Sequence, residues 1–201
     1  MWVDDEEKCL FIAVPKTGST SVIQTMNMGE FGKGARIPPK PPVYHASIAE
    51  IKNKETEIPE FSFAFVRNPW YRLLSLFFES ANLKDGNHHA FSPKIKEFET
   101  FNDFVIGLRD AGLHEEIHFL PCSHFVTIDG EIAVDFIGRF ETLQEDFNKC
   151  LDTIGLERKP LVHWRGTRYP SDDMSSYYNQ EAKDIVAEIY EEDIRRFGYE
   201  F

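Results

Sequence analysis

Apolar residues run unbroken from Cys9 to Val14 and stop at Pro15. A run this short and continuous predicts a buried strand of a parallel sheet. Lys16 to Ser21 follows as a polar turn rich in Gly, Ser and Thr, and beyond it Val22, Ile23 and Met26 share one helical face. The order strand, polar loop, helix can hold an anion at the helix N-terminus. Three Gly and four Pro between Gly29 and Pro42 predict a loop. Ala46 to Lys52 reads as a short helix, and the apolar run Phe61 to Val66 as a second central strand. Asn68 then acts as a cap with Pro69 at the first helical position, ahead of an apolar face made by Trp70, Leu73, Leu74, Phe77 and Phe78.

The second half repeats these signals. Phe98 to Leu108 has helical spacing through Phe101, Phe104, Val105 and Leu108. Asp129-Gly130 is a hairpin turn, and Phe136 to Phe140 a further strand. Thr142 and Glu145 have the spacing of a capping box before Phe147, Leu151 and Ile154, and Asn179 to Phe197 reads as one amphipathic helix. No repeat or interdomain linker interrupts the pattern. The expectation is a single α/β domain over residues 1–201, a P-loop-like sandwich with a central, mostly parallel sheet flanked by helices.

Composition narrows the function classes. A chain of 201 residues with 42% hydrophobic and 14% aromatic residues is neither disordered nor a stapled miniprotein. Its formal net charge of -12 repels polyanions and argues against a nucleic-acid surface, while a small anion can still be held by local N–H groups and fixed cations. Cys9, Cys122 and Cys150 have no ligand spacing, and the acidic start Asp4 to Glu7 carries no export signal or membrane span, so a cytoplasmic protein is expected. His88-His89 lacks a carboxylate or thiolate at ligand spacing, and no metal is assigned.

Two stretches carry chemistry. In Pro15-Lys16-Thr17-Gly18-Ser19-Thr20-Ser21, Gly18 permits the turn, loop N–H groups point inward, and Lys16 with the hydroxyls surrounds an anion. The lysine precedes the glycine, unlike the nucleoside-triphosphatase loop G-x-x-x-x-G-K-[ST]. In the second stretch, Val66 to Ser75, Arg67 ends a strand and Ser75 lies two turns into the next helix, so both can converge on a second phosphate.

Together, Phe11 to Ser21 and Phe65 to Ser75 resemble the PAPS-dependent sulfotransferases (PAPS, 3′-phosphoadenosine-5′-phosphosulfate), in particular the carbohydrate branch. The resemblance continues through Phe136 to Phe147, Tyr177-Tyr178 and Ile185 to Tyr199. It implies that Lys16, Thr17, Gly18, Ser19, Thr20 and Ser21 hold the 5′-phosphosulfate and that Arg67 and Ser75 hold the 3′-phosphate. It also places Thr167 and Arg168 in a late loop at the nucleotide, and Cys122 where a family segment often carries glutamine. The implied reaction moves a sulfuryl group from PAPS to an acceptor hydroxyl, that of a sugar in this branch, releasing adenosine 3′,5′-bisphosphate.

In-line transfer needs a base for the hydroxyl proton and cations or N–H groups for charge on the leaving phosphate. Lys16 is the electrophilic partner. His45, just before a short helix and upstream of the second strand, resembles the family's catalytic histidine in placement, and imidazole suits proton removal near neutrality. His118, His124 and Glu79 are its rivals. A P-loop small-molecule kinase and a noncatalytic nucleotide-binding module are the alternative functions.

Overall fold

The computed structural model describes residues 2–3, 9–27, 45–54, 59–82, 91–162, 171 and 173–201. In chain order the first elements are β1 (Trp2–Val3), β2 (Cys9–Ile12), α1 (Ser19–Met26), α2 (Ile48–Lys54), β3 (Phe61–Val66), α3 (Pro69–Asn82), α4 (Ser92–Ile95) and α5 (Phe101–Ile106). Then come α6 (Cys122–Val126), β4 (Thr127–Ile128), β5 (Glu131–Ile132), β6 (Phe136–Arg139), α7 (Leu143–Thr153), α8 (Gln180–Ile189) and α9 (Glu191–Phe197). The chain forms two compact units, one of Met1–Arg67 with Cys122–Arg165 and one of Asn68–Pro121 with Gly166–Phe201.

The first unit holds the sheet, in the order β1-β2-β3-β6, with β1 antiparallel to β2 and with β2, β3 and β6 parallel. This is the expected central, mostly parallel sheet of an α/β fold. Cys9, Phe11, Phe63 and Phe65 pack with Val22, Ile23 and Met26 of α1 and Phe147, Cys150 and Leu151 of α7. Leu10, Ile12, Ala64 and Val66, which alternate with them, are equally buried, so both faces of the strands are covered and the uninterrupted apolar runs are explained. β4 and β5 pair around Asp129 (φ 51) and Gly130 (φ 82), the left-handed turn that Asp-Gly predicts.

Where β6 meets α7 the structure departs from the expected capping box. Thr142 makes no side-chain cap bond to the helix backbone. Its hydroxyl instead donates to Asp146 at 2.8 Å, and the same carboxylate accepts the Arg139 N–H at 2.8 Å and the Lys149 ammonium at 2.6 Å. Burial pushes the Asp146 carboxyl up, but these hydrogen bonds outweigh it and hold its pKa below the ordinary 3.8. The folded value is depressed, so the stabilisation is fully present above the unfolded value and is lost as pH falls through the folded one. Asp146→Asn is expected to lower unfolding free energy by about 1.5–3 kcal/mol at pH 7. Urea titrations should show the gap between variant and wild type closing below the ordinary value. A gap independent of pH would contradict this account.

The second unit is built on α3, α5 and α8, whose Trp70, Leu73, Leu74, Phe101, Phe104, Val105, Ala182 and Val186 share one core. Asn68 caps α3 as expected, its Oδ1 accepting the Trp70 and Tyr71 N–H groups at 3.1 and 3.4 Å, while its Nδ2 donates to the Glu200 carbonyl at 2.8 Å. The helix expected over 98–108 is shorter. Thr100 and Asp103 form a true capping box at its start, and Gly107 ends it. The helix expected over 179–197 is interrupted at Tyr190 (φ -110, ψ 25) between α8 and α9. The buried Tyr190 hydroxyl donates to the Phe119 carbonyl at 2.8 Å, and Arg72, also buried, donates to the His118 and Leu120 carbonyls at 3.1 and 2.8 Å. Three successive carbonyls are thus satisfied from two elements, which spares their desolvation cost. Among the described residues no helix is long and apolar enough to cross a membrane.

Candidate active site

Parallel pairing brings three segments to one edge of the sheet. Ile12 lies opposite Ala64, and Val66 opposite Arg139, so the chain leaves β2, β3 and β6 side by side at their carboxyl ends. Ligands of open α/β sheets bind at this edge.

The apolar run from Cys9 outlasts its strand, because past Ile12 the carbonyls turn from the sheet to side chains. Ala13 O accepts from Nδ1 of the half-buried His45 at 2.5 Å. Val14 O accepts the hydroxyls of Thr17 and Ser19 at 3.0 and 2.5 Å. Lys16 O accepts from Nη1 of Arg67 at 3.1 Å. With these acceptors engaged from behind and with Lys16 (φ 67) and Gly18 (φ 81) both left-handed, the loop presents the positive end of α1. The first intrahelical bond there is Val22 N–H to Gly18 O at 3.1 Å, so the amides of Ser19, Thr20 and Ser21 precede it.

Three cradle residues also serve the loop itself. Thr17 and Ser19 are buried, and each hydroxyl has given its one proton to Val14 O. In this arrangement the two hydroxyls tie down the loop. Gly18 is needed for φ 81 and for packing: a Cβ there would meet the Leu143 side chain at 2.6 Å and Phe140 at 3.4 Å. Gly18→Ala is therefore expected to cost about 2–4 kcal/mol, combining left-handed strain with overpacking. Urea unfolding of Gly18→Ala beside Gly18→Ala/Leu143→Ala should return the packing share in the double variant. An unchanged midpoint in the single variant would refute it.

Lys16, Thr20 and Ser21 are half-buried at the cradle, and Arg67 is 7% exposed. Ser75 is buried on α3 in the second unit. Thr167 and Arg168 lie outside the described residues, as do His88-His89 and residues 29–42. Of the rival bases, His124 is exposed on α6 with its ring edge-on to Phe125, His118 packs its ring 5.0 Å from Phe91 in the second unit, and Glu79 lies on α3. His45 is bonded to the loop that carries Lys16, through the Ala13 carbonyl.

The Ala13 bond also sets the ring's chemistry. A carbonyl only accepts, so Nδ1 carries the proton and Nε2 is the basic nitrogen. The short capping box of α2 fixes the chain just beyond: Ser47 N–H and hydroxyl donate to Glu50 at 2.8 and 3.1 Å. Foremost through the Ser47 N–H, these bonds hold the Glu50 carboxyl below its ordinary range. Cys150, in the core between α7 and the sheet, is no nucleophile, since burial above all pushes its thiol far up.

Phe140 was not singled out from the sequence. It begins a 3₁₀ turn, Phe140–Thr142, directly after β6, and its ring lies 3.9 Å from the Arg67 guanidinium carbon. An aromatic residue at the end of a strand in the stretch Phe136 to Phe147 was the only signal, and it does not distinguish core packing from a cation platform.

A mostly parallel sheet, a left-handed loop between strand and helix N-terminus, and an adjacent strand-end arginine make this an α/β protein consistent with a P-loop-like fold. The sulfotransferase family model matches residues 1–200, and the chain belongs to that family. It is 26% identical to carbohydrate sulfotransferase 9 of Homo sapiens, covering 92% of this chain and 48% of that protein. It is 27% identical to carbohydrate sulfotransferase 10 of Gallus gallus (99% and 66%) and 24% to carbohydrate sulfotransferase 11 of Mus musculus (98% and 66%). The chain thus spans about half to two thirds of the length of these relatives. No solved structure matches it.

Proposed function

We propose that this chain transfers a sulfuryl group from PAPS to a hydroxyl of a carbohydrate acceptor, with His45 as base and Lys16 as electrophilic partner. Family membership supports the transferase class, and the relatives' names support a sugar acceptor. The observation that carries the reading is the shared anchorage of His45 and the Lys16 loop at the end of β2, through the Ala13 and Val14 carbonyls.

The residues suit an anionic nucleotide, since loop acceptors that would repel phosphate are bonded to His45, Thr17, Ser19 and Arg67. The donor supplies an electrophilic sulfur and a phosphate leaving group. Lys16 and the first amides of α1 would hold the 5′ end and absorb its growing negative charge. Nε2 of His45 would take the proton of the attacking hydroxyl. Arg67, Ser75, Thr167 and Arg168 remain the nucleotide contacts that the resemblance implies.

The test pairs thermal stabilisation with transfer of labelled sulfate to a panel of glycans, phenols and small alcohols. Adenosine 3′,5′-bisphosphate at 100 times its dissociation constant should add about 2.7 kcal/mol of stability, and ATP with magnesium should add none. Glycans should be labelled. The reverse nucleotide preference would make the protein a kinase, and nucleotide binding without transfer to any acceptor would make it a binding module.

A further inference from the structure

We propose that Phe140 is a positioning residue for the Lys16 loop, acting through Arg67. Where the donor is concerned, this rests on the function proposed above. Three observations meet at this ring. The Arg67 guanidinium lies 3.9 Å from its centre, a distance at which a partly desolvated cation is attracted to the face of an aromatic ring. Nη1 of that guanidinium donates to the Lys16 carbonyl at 3.1 Å. The ring edge also faces Gly18, standing 3.4 Å from where a Cβ at that position would lie. Phe140 therefore flanks the loop at Gly18 and reaches it, through Arg67, at Lys16.

The loop needs such a brace. Lys16 is a non-glycine residue at φ 67, a sterically disfavoured conformation that persists only where surrounding contacts hold it. Arg67 is buried to 7% exposure, and its guanidinium is engaged on one side by the ring face and at Nη1 by the Lys16 carbonyl. Residues that follow three neighbouring parallel strands are thus joined as ring, guanidinium and carbonyl, and the joint sets the backbone from which the Lys16 side chain departs. Arg67 then serves the 5′ end of a nucleotide whether or not it also meets the 3′-phosphate.

Two measurements test this with Phe140→Leu, which keeps apolar bulk and loses the ring face, and Phe140→Tyr, which keeps the face. The first is amide hydrogen exchange of the nucleotide-free protein. Phe140→Leu should speed exchange across residues 16–19 while β2 stays at the wild-type rate, and Phe140→Tyr should match wild type. Unchanged loop exchange in Phe140→Leu overturns the brace, whatever the donor proves to be. The second is calorimetric binding of adenosine 3′,5′-bisphosphate and of adenosine 5′-monophosphate, which lacks the 3′-phosphate. Phe140→Leu should weaken both by the same factor, roughly 2- to 30-fold. Weakening of the bisphosphate alone would overturn the role at the 5′ end. If wild type binds neither nucleotide, the donor assignment fails, and the exchange result alone decides the brace.

Discussion

His45→Ala is expected to lower the turnover of sulfuryl transfer by about 100- to 10,000-fold while leaving adenosine 3′,5′-bisphosphate affinity within a few-fold of wild type. The reason lies in the 2.5 Å bond from Nδ1 to Ala13 O, which commits the proton to one ring nitrogen and makes the other the base. Alanine removes both the base and a donor that steadies the strand end, so a second variant separates them. His45→Asn offers an amide N–H to Ala13 O but no basic nitrogen, and it should be as slow as alanine. The acid limb that a histidine base imposes on kcat/KM should vanish in both variants. If His45→Asn turns over near the wild-type rate, His45 is a strut and not the base. His118→Ala, His124→Ala and Glu79→Ala, run in parallel, would then show where the base resides.

Lys16→Ala should lower turnover by roughly 100-fold or more, the scale of a lost donor to developing negative charge. Its backbone complicates the reading in a usable way. Because Lys16 sits at φ 67, alanine at this position removes the amine and retains the left-handed strain, whereas glycine removes both. If the amine matters, Lys16→Ala and Lys16→Gly lose turnover equally, although Lys16→Gly is the more stable protein. Turnover retained by Lys16→Gly would assign the residue a backbone role only. Lys16→Arg should recover part of the rate, since the charge remains on a differently shaped head group.

Much of the fold was legible because the relevant signals act over one or two turns of chain. The run Phe61 to Val66 is β3 residue for residue, Asn68-Pro69 starts α3, and Asp129-Gly130 turns the hairpin. Errors arose where a competing hydrogen-bond partner overruled the expected pattern. Thr142 has the spacing of a cap, but the buried carboxylate of Asp146 takes its hydroxyl proton. The apolar periodicity from Asn179 to Phe197 is continuous, yet Tyr190 breaks the helix and gives its hydroxyl to Phe119, which is 71 residues away.

At the candidate site the same division holds. Residue types and order alone were enough to mark Lys16 to Ser21, Arg67 and His45 as chemically relevant, because a glycine-bearing turn between strand and helix is a local property. How they are held was decided in part by long-range contacts. His45 meets Ala13 across 32 residues, and Arg67 meets Lys16 across 51. The first assigns the imidazole its tautomer and the second, with the ring beside Arg67, gives Phe140 a part that its place in the chain did not suggest, while Thr17 and Ser19 are tied locally to Val14. The physical cause is that a backbone carbonyl must find a donor wherever the sheet releases it, and only the packed chain determines which side chain is near enough to supply one.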